Sequence, residues 1–230
     1  MKKLASKNTG KITLAVALLL AAGTLAQADT MDTPTVSTGW KGLPFDNSLY
    51  LQQFNSSLGT LNSVTLHFTA VEQAGVTVEN GASSGASVTI SLSGNVETSD
   101  NHFDSIAVIS GFYGPYSLGA NENAPGLPVY NGSGPDYADL GVITATKVKT
   151  VTISSGLSDY IGNGTVAFDV AGAGGWSAAG TTAYSLIINN FQGEGNVYLT
   201  YDYLAVPEPT SAMFLGLGGL ALACYRRYTR

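Results

Sequence analysis

Carboxylates, aromatic rings and two histidines are the residues of this 230-residue chain with chemistry to offer. Asp136 and Asp139 stand in a glycine-flanked stretch, 133–141, that reads SGPDYADLG. Hard divalent cations take six to eight oxygens from carboxylates and loop carbonyls. The stretch is therefore a calcium candidate, although it lacks the complete spacing of an EF-hand loop, and a solvated Asx turn is the alternative. In the segment SDNHFDS, Asp100 and Asp104 flank His102. A glycosidase needs two carboxylates about 5–9.5 Å apart across a sugar, a distance that sequence does not supply, so no catalytic residue is assigned. A third set is aromatic: Trp40, Tyr113, Tyr116, Tyr130, Tyr137 and Trp176. Such rings stack on sugars in β-sandwich modules, and they also fill strand faces and loop bases in any such fold. His67, on the polar face of a strand, reads as a surface residue. Cys224 lies in an apolar run far from either histidine and makes a poor nucleophile. Asn55, Asn131 and Asn163 head glycosylation sequons that read as chance matches in a chain rich in Asn, Ser, Thr and Gly.

The composition narrows what these residues serve. Charged residues make up 11% of the chain, against about a quarter in ordinary soluble domains. The net charge is −6 and there are 28 glycines. A nucleic-acid partner is excluded, because phosphates demand a basic patch. So are a coiled coil and a charge-rich disordered chain. One cysteine cannot build a disulfide framework, and two histidines do not suit a His-rich metal site.

The two ends read as transport elements. Lys2, Lys3, Lys7 and Lys11 precede or open an apolar run over 12–23, and Ala26-Gln27-Ala28 is a small-x-small cleavage site. Residues 1–28 are thus expected to be a signal peptide, removed by signal peptidase to leave Asp29 first. At the other end, 206–230, a Val-Pro-Glu-Pro element precedes sixteen uncharged residues, 210–225, and then Arg226 and Arg227. Pro207 and Pro209 around Glu208 end any strand. The uncharged run is expected to form a single membrane helix about 24 Å long, with the arginines held in the cytoplasm. Between the ends, residues 29–209 hold three lysines (Lys41, Lys147, Lys149), no arginine and all sixteen acids, a net charge of −13. Acidity at that level favours solubility and repels polyanions.

The tail VPEPTSAMFLGLGGLALACYRRYTR resembles a PEP-CTERM sorting signal: Pro-Glu-Pro, an apolar span and a basic end, in that order. The resemblance covers these 25 residues. It implies processing near Pro207-Glu208-Pro209 by an exosortase, with Arg226 and Arg227 as the stop, in a Gram-negative bacterium that makes exopolysaccharide.

Between the ends the dominant period is two. Val64, Leu66, Phe68 and Ala70 alternate with polar residues, as do Val88, Ile90 and Leu92, then Val166, Phe168 and Val170, then Val197, Leu199, Tyr201 and Tyr203. Each set predicts a strand with one face inward. Further strands are expected over 33–40, 75–79, 105–110, 148–153 and 184–189. Asn80-Gly81, Asn131-Gly132 and Asn163-Gly164 suggest type I′ hairpins, the last joining a strand over 157–161 to one over 165–170. The stretch 111–141 has no period and reads as a long surface loop. The expectation is an all-β domain over 29–205, an antiparallel two-sheet sandwich of jelly-roll-like topology with about nine strands. Three segments, LYLQQFNSSLGTLNSVTLHF at 49–68, GNGTVAFDV at 162–170 and VYLTYDY at 197–203, also resemble a choice-of-anchor E domain. That resemblance implies a surface or matrix protein and brings no catalytic residues. The expected role is structural or adhesive and non-enzymatic, at the cell surface or in a biofilm matrix. A carbohydrate-binding module that takes extracellular polysaccharide or surface glycans is the alternative, and a secreted glycosidase a more distant one.

Overall fold

The computed structural model describes residues 27–122, 130–180, 184–206 and 209–228. Among the described residues ten strands run in chain order: β1 (Ala28–Asp32), β2 (Val36–Ser37), β3 (Lys41–Gly42), β4 (Phe45–Gln52), β5 (Gly59–Asn80), β6 (Ala86–Ser99), β7 (Asp104–Leu118), β8 (Tyr137–Ile153), β9 (Thr165–Ala179) and β10 (Tyr184–Ala205). A short 3-10 turn, Leu157–Tyr160, precedes β9, and a helix, α1 (Pro209–Tyr228), closes the described chain. One sheet has the order β1-β10-β5-β8, with β2 and β3 also pairing with β10; the other has the order β4-β9-β6-β7. The pairings between these strands for which a register is known are antiparallel. The all-β, two-sheet expectation therefore holds.

Alternation builds the core. On β5, Val64, Leu66, Phe68, Ala70, Ala74, Val76 and Val78 are buried, and on β6, Val88, Ile90, Leu92 and Val96 are buried. Members of both sheets meet in one apolar cluster with Leu118 and Ile143. Each large side chain removed from water in this way contributes about 1.5–3 kcal/mol.

The strands are longer than the sequence pattern indicates. The expected strands around 64–70 and 75–79 are one 22-residue strand, β5. The inward parity continues through Glu72, whose charge interrupts the apolar pattern without interrupting the backbone. β10 likewise spans 22 residues. Asn190 has a φ of 50°, and the inward positions change from even (Leu186, Ile188) to odd (Gly193 onward) across it, which hides the period. Three corrections concern turns. Each of the three Asn-Gly pairs lies on a connection between strands of different sheets or inside a longer loop, so none closes a two-residue hairpin. Residues 157–160 form the 3-10 turn rather than a strand. The long loop expected over 111–141 is strand at both of its ends, because β7 runs on to Leu118 and β8 starts at Tyr137.

The chain falls into two compact units. The larger, Thr30–Ser56 with Leu61–Asp202, holds the sandwich core. The smaller includes Ser57–Thr60 and the chain from Tyr203 onward, together with the residues up to Asp29. Within it the two ends of the strand region lie side by side. The Ala205 N–H donates to the Gln27 carbonyl at 2.9 Å, and Val206 N–H to the Leu58 carbonyl at 2.9 Å. The Tyr203 hydroxyl donates to Asp29 Oδ2 at 3.1 Å.

The tail is helical, but the membrane span expected over 210–225 needs correction. Among the described residues no helix is long and apolar enough to cross a membrane. The sixteen uncharged residues reach about 24 Å against a hydrocarbon core of about 30 Å. Gly216, Gly218 and Gly219 dilute them, and Arg226 and Arg227 close them. Leu217, Leu220 and Leu222 on α1 are exposed. The expected signal over 1–28 lies outside the described residues except for Gln27 and Ala28; Ala26, Pro207 and Glu208 also lie outside them.

Candidate functional site

Two clusters of polar side chains occupy opposite ends of the sandwich. The first is where β5 ends, β6 and β8 begin and β7 ends, since Glu79 pairs with Tyr137 and Ala86 with Leu118. Inward parity on β5 places Asn80 in the interior, fully buried. Its amide Nδ2 donates to the Ser84 carbonyl at 2.8 Å and the Gly119 carbonyl at 2.6 Å, while Oδ1 accepts from Ala82 N–H at 3.0 Å. Its own N–H donates to the Asp136 carbonyl at 2.8 Å. The side chain thus ties 82–84 to Gly119, and the backbone N–H adds Asp136.

Asp136 is buried with it. One of its carboxylate oxygens accepts a long bond from Glu122 N–H at 3.4 Å; the other, Oδ1, has no hydrogen-bond partner. Asp139 does not join it. Asp136 is the buried turn residue just before β8, whereas Asp139 lies within that strand. Asp139 is exposed and its Oδ1 accepts from Gly141 N–H at 2.9 Å, at the bulge opposite Val76 and Thr77. The carboxylate that does approach Asp136 is Glu122. A Cβ built on Gly134 would lie 2.5 Å from Glu122 Oε2 and 2.8 Å from Asp136 Oδ1. Glu79, also buried, accepts from Asn131 N–H at 3.0 Å and Gly132 N–H at 3.1 Å.

The six rings are spread over several elements. Tyr130 and Tyr137 meet edge to face with centroids 6.0 Å apart, and the Tyr130 hydroxyl donates to Thr77 Oγ1 at 3.2 Å. Burial and the hydrogen bond with Tyr130 hold the Tyr137 phenol above its ordinary pKa. Tyr113 and Tyr116 are strand residues of β7. Tyr113 packs against the core and donates to the Thr144 carbonyl at 2.6 Å; burial, then the neighbouring Tyr116, raise its pKa. Trp40 precedes β3 and Trp176 lies on β9, each exposed. Among the described residues Tyr130 and Tyr137 are the one ring pair formed within this set.

The second cluster joins the β6–β7 connection to the 3-10 turn. Asp100 Oδ1 accepts from His102 N–H and Phe103 N–H at 2.8 and 2.7 Å, and Asp100 Oδ2 accepts from the buried Tyr160 hydroxyl. His102 Nε2 lies 3.0 Å from Asp159 Oδ2, and that hydrogen bond lowers the Asp159 pKa. Every Asp100 oxygen is engaged in holding the turn, which gives the cluster the geometry of a clasp. His67 lies on the outer face of the first sheet, its ring stacked 4.2 Å from that of Tyr198 and its Nε2 3.0 Å from Thr200 Oγ1. Thr200 spends its proton on Asp32 at 2.6 Å, so His67 is the donor in that pair.

Sequence reasoning missed Asn80, Glu122 and Glu72. For Asn80 and Glu72 the signal was present, as polar residues on the inward parity of β5. For Glu122 none was, since its placement depends on where 119–122 folds back.

No protein-family model and no curated protein matches the chain. Among solved structures it is similar to two chains of infectious bursal disease virus. The Gx strain structure matches at 8% identity and a TM-score of 0.17 over 81% of this chain and 44% of that one. The Gt strain structure matches at 11% identity and a TM-score of 0.11 over 81% and 43%. The chain thus spans less than half the length of the viral chains it matches.

Proposed function

We propose that this is an exported β-sandwich protein, sorted by an exosortase to the surface or exopolysaccharide matrix of a Gram-negative bacterium, where it serves a structural or adhesive role without catalysis. Residues 1–28 act as the signal, and 206–230 act as a PEP-CTERM tail on a choice-of-anchor E-like domain. The strand orders β1-β10-β5-β8 and β4-β9-β6-β7 support a jelly-roll-like topology for that domain.

The observation that carries the reading is the order of the tail. A strand ends at Ala205, a Pro-Glu-Pro follows, and a helix with exposed leucines closes on Arg226 and Arg227. A helix that leaves Leu217, Leu220 and Leu222 uncovered has an apolar surface for lipid and a processing enzyme. It acts as a short recognition element rather than a permanent anchor. Gln27 and Ala205 are hydrogen-bonded neighbours, so the described residues that adjoin the two proposed transport elements lie side by side.

The test is fractionation of the full chain expressed in a Gram-negative host with and without an exosortase. The expected result is release to the surface fraction when the enzyme is present, abolished when Pro207 and Pro209 are both changed to Ala. Equal distribution with and without the enzyme would overturn the sorting assignment.

A further inference from the structure

We propose that Asp136 and Glu122, facing each other across Gly134, form a Ca2+ site at one end of the sandwich. Three observations converge. Asp136 is fully buried and its Oδ1 has no partner, a costly state for an ionised carboxylate unless a cation answers it. Glu122 Oε2 and Asp136 Oδ1 border the same spot, the one that a side chain at residue 134 would fill, at 2.5 and 2.8 Å from its Cβ. Gly134 has a φ of +100°, a conformation that suits glycine and keeps the spot free of side-chain atoms. Among the described residues no cationic side chain pairs with Asp136. Along β8 the first lysine is Lys147, ten residues beyond Tyr137, or roughly 33 Å at the rise of a strand.

The donors set the ion. Both are carboxylate oxygens, and the two histidines are engaged elsewhere, which favours a hard cation over zinc or copper. Among the described residues there is no group of three or more acidic, His or Cys donors. Two carboxylates therefore hold the ion, and loop carbonyls and water complete its shell. That charge count belongs with the weak sites of extracellular modules, with a Kd of about 10⁻⁴–10⁻³ M. The frame is rigid where it matters: Asn80 fixes the Asp136 backbone, and Gly119 N–H donates to the Pro135 carbonyl at 2.6 Å. The site uses Asp136 from the sequence-based candidate pair and replaces Asp139 with Glu122. It does not depend on how the protein is exported.

Terbium, a calcium substitute that emits when excited through a nearby tyrosine, is the probe, with Tyr137 next to Asp136 as the antenna. Titrating the full chain is expected to give saturable emission that Ca2+ displaces in the millimolar range. Glu122→Gln, at an exposed position, and Asp136→Asn should each weaken terbium binding about tenfold or more, whereas Asp139→Asn should not. Circular dichroism checks that each variant is folded; if Asp136→Asn is not, Glu122→Gln carries the test. Emission that never saturates, or equal affinity in Glu122→Gln and the unchanged protein, would overturn the site.

Discussion

Glu72 is the residue most at odds with its surroundings. It points into the sandwich, fully buried, and neither carboxylate oxygen has a partner. Room for it comes from Gly94 and Gly174 in the facing sheet, where a Cβ would approach its Oε1 to 1.9 and 2.8 Å. Burial raises its pKa from 4.5 to about 7. Between those values the folded chain keeps a proton that the unfolded chain releases. This group's contribution to stability therefore declines as pH rises through that window and is flat above about 7. Glu72→Gln keeps the shape and removes the charge. It is expected to raise stability by about 1–3 kcal/mol at alkaline pH, less at pH near 5, and to flatten the pH profile. Denaturant unfolding across that range measures both. Asn80 is the opposite case, with every side-chain group satisfied. Asn80→Ala removes three hydrogen bonds that a buried amide makes to the backbone, and should cost about 2–4 kcal/mol in the same assay.

At the scale of elements, the close approach of the strands rests on missing side chains. Gly94→Ala would put a methyl 2.6 Å from the Ala173 carbonyl oxygen and 2.8 Å from Gly174 Cα, backbone atoms of the paired strand β9. It is expected to destabilise by about 1–3 kcal/mol or more, read as a loss of melting temperature. Gly175→Ala, with nothing within 4 Å of its Cβ, should change little. The contrast separates packing from β propensity. The same elements show how much the sequence discloses. Period-two runs located β5, β6, β9 and the end of β10, because burial on one face of a strand leaves that mark. It failed at Glu72, where a charge sits on the inward face, and at Asn190, where a positive φ changes the parity. It failed at Asn80-Gly81 because the pair that favours a hairpin also supplies a buried amide for a crossing between sheets. Asp136 was legible as a candidate, yet its partner was not. Asp139 is near in sequence but lies exposed on β8; Glu122 is distant in sequence and lies beside Gly134.

For the whole molecule, the distribution of charge and the placement of the ends carry the account. The basic residues outside the three lysines of 29–209 are confined to 1–28 and 210–230, so the proposed processing at both ends would leave a domain of net charge near −13. Calcium at Asp136 and Glu122 would then act on an acidic domain outside the cell, and is expected to raise its melting temperature in proportion to the logarithm of free Ca2+ above the Kd. The central claim is that the chain is cut at both ends and passed outward. Its most direct test is the intact mass of the protein recovered from the surface and matrix fraction of a host that carries an exosortase. The account predicts a chain that starts at Asp29 and ends between Pro207 and Thr210, with any added mass reporting a glycan or lipid. A chain that still ends at Arg230 and stays with the inner membrane would contradict it.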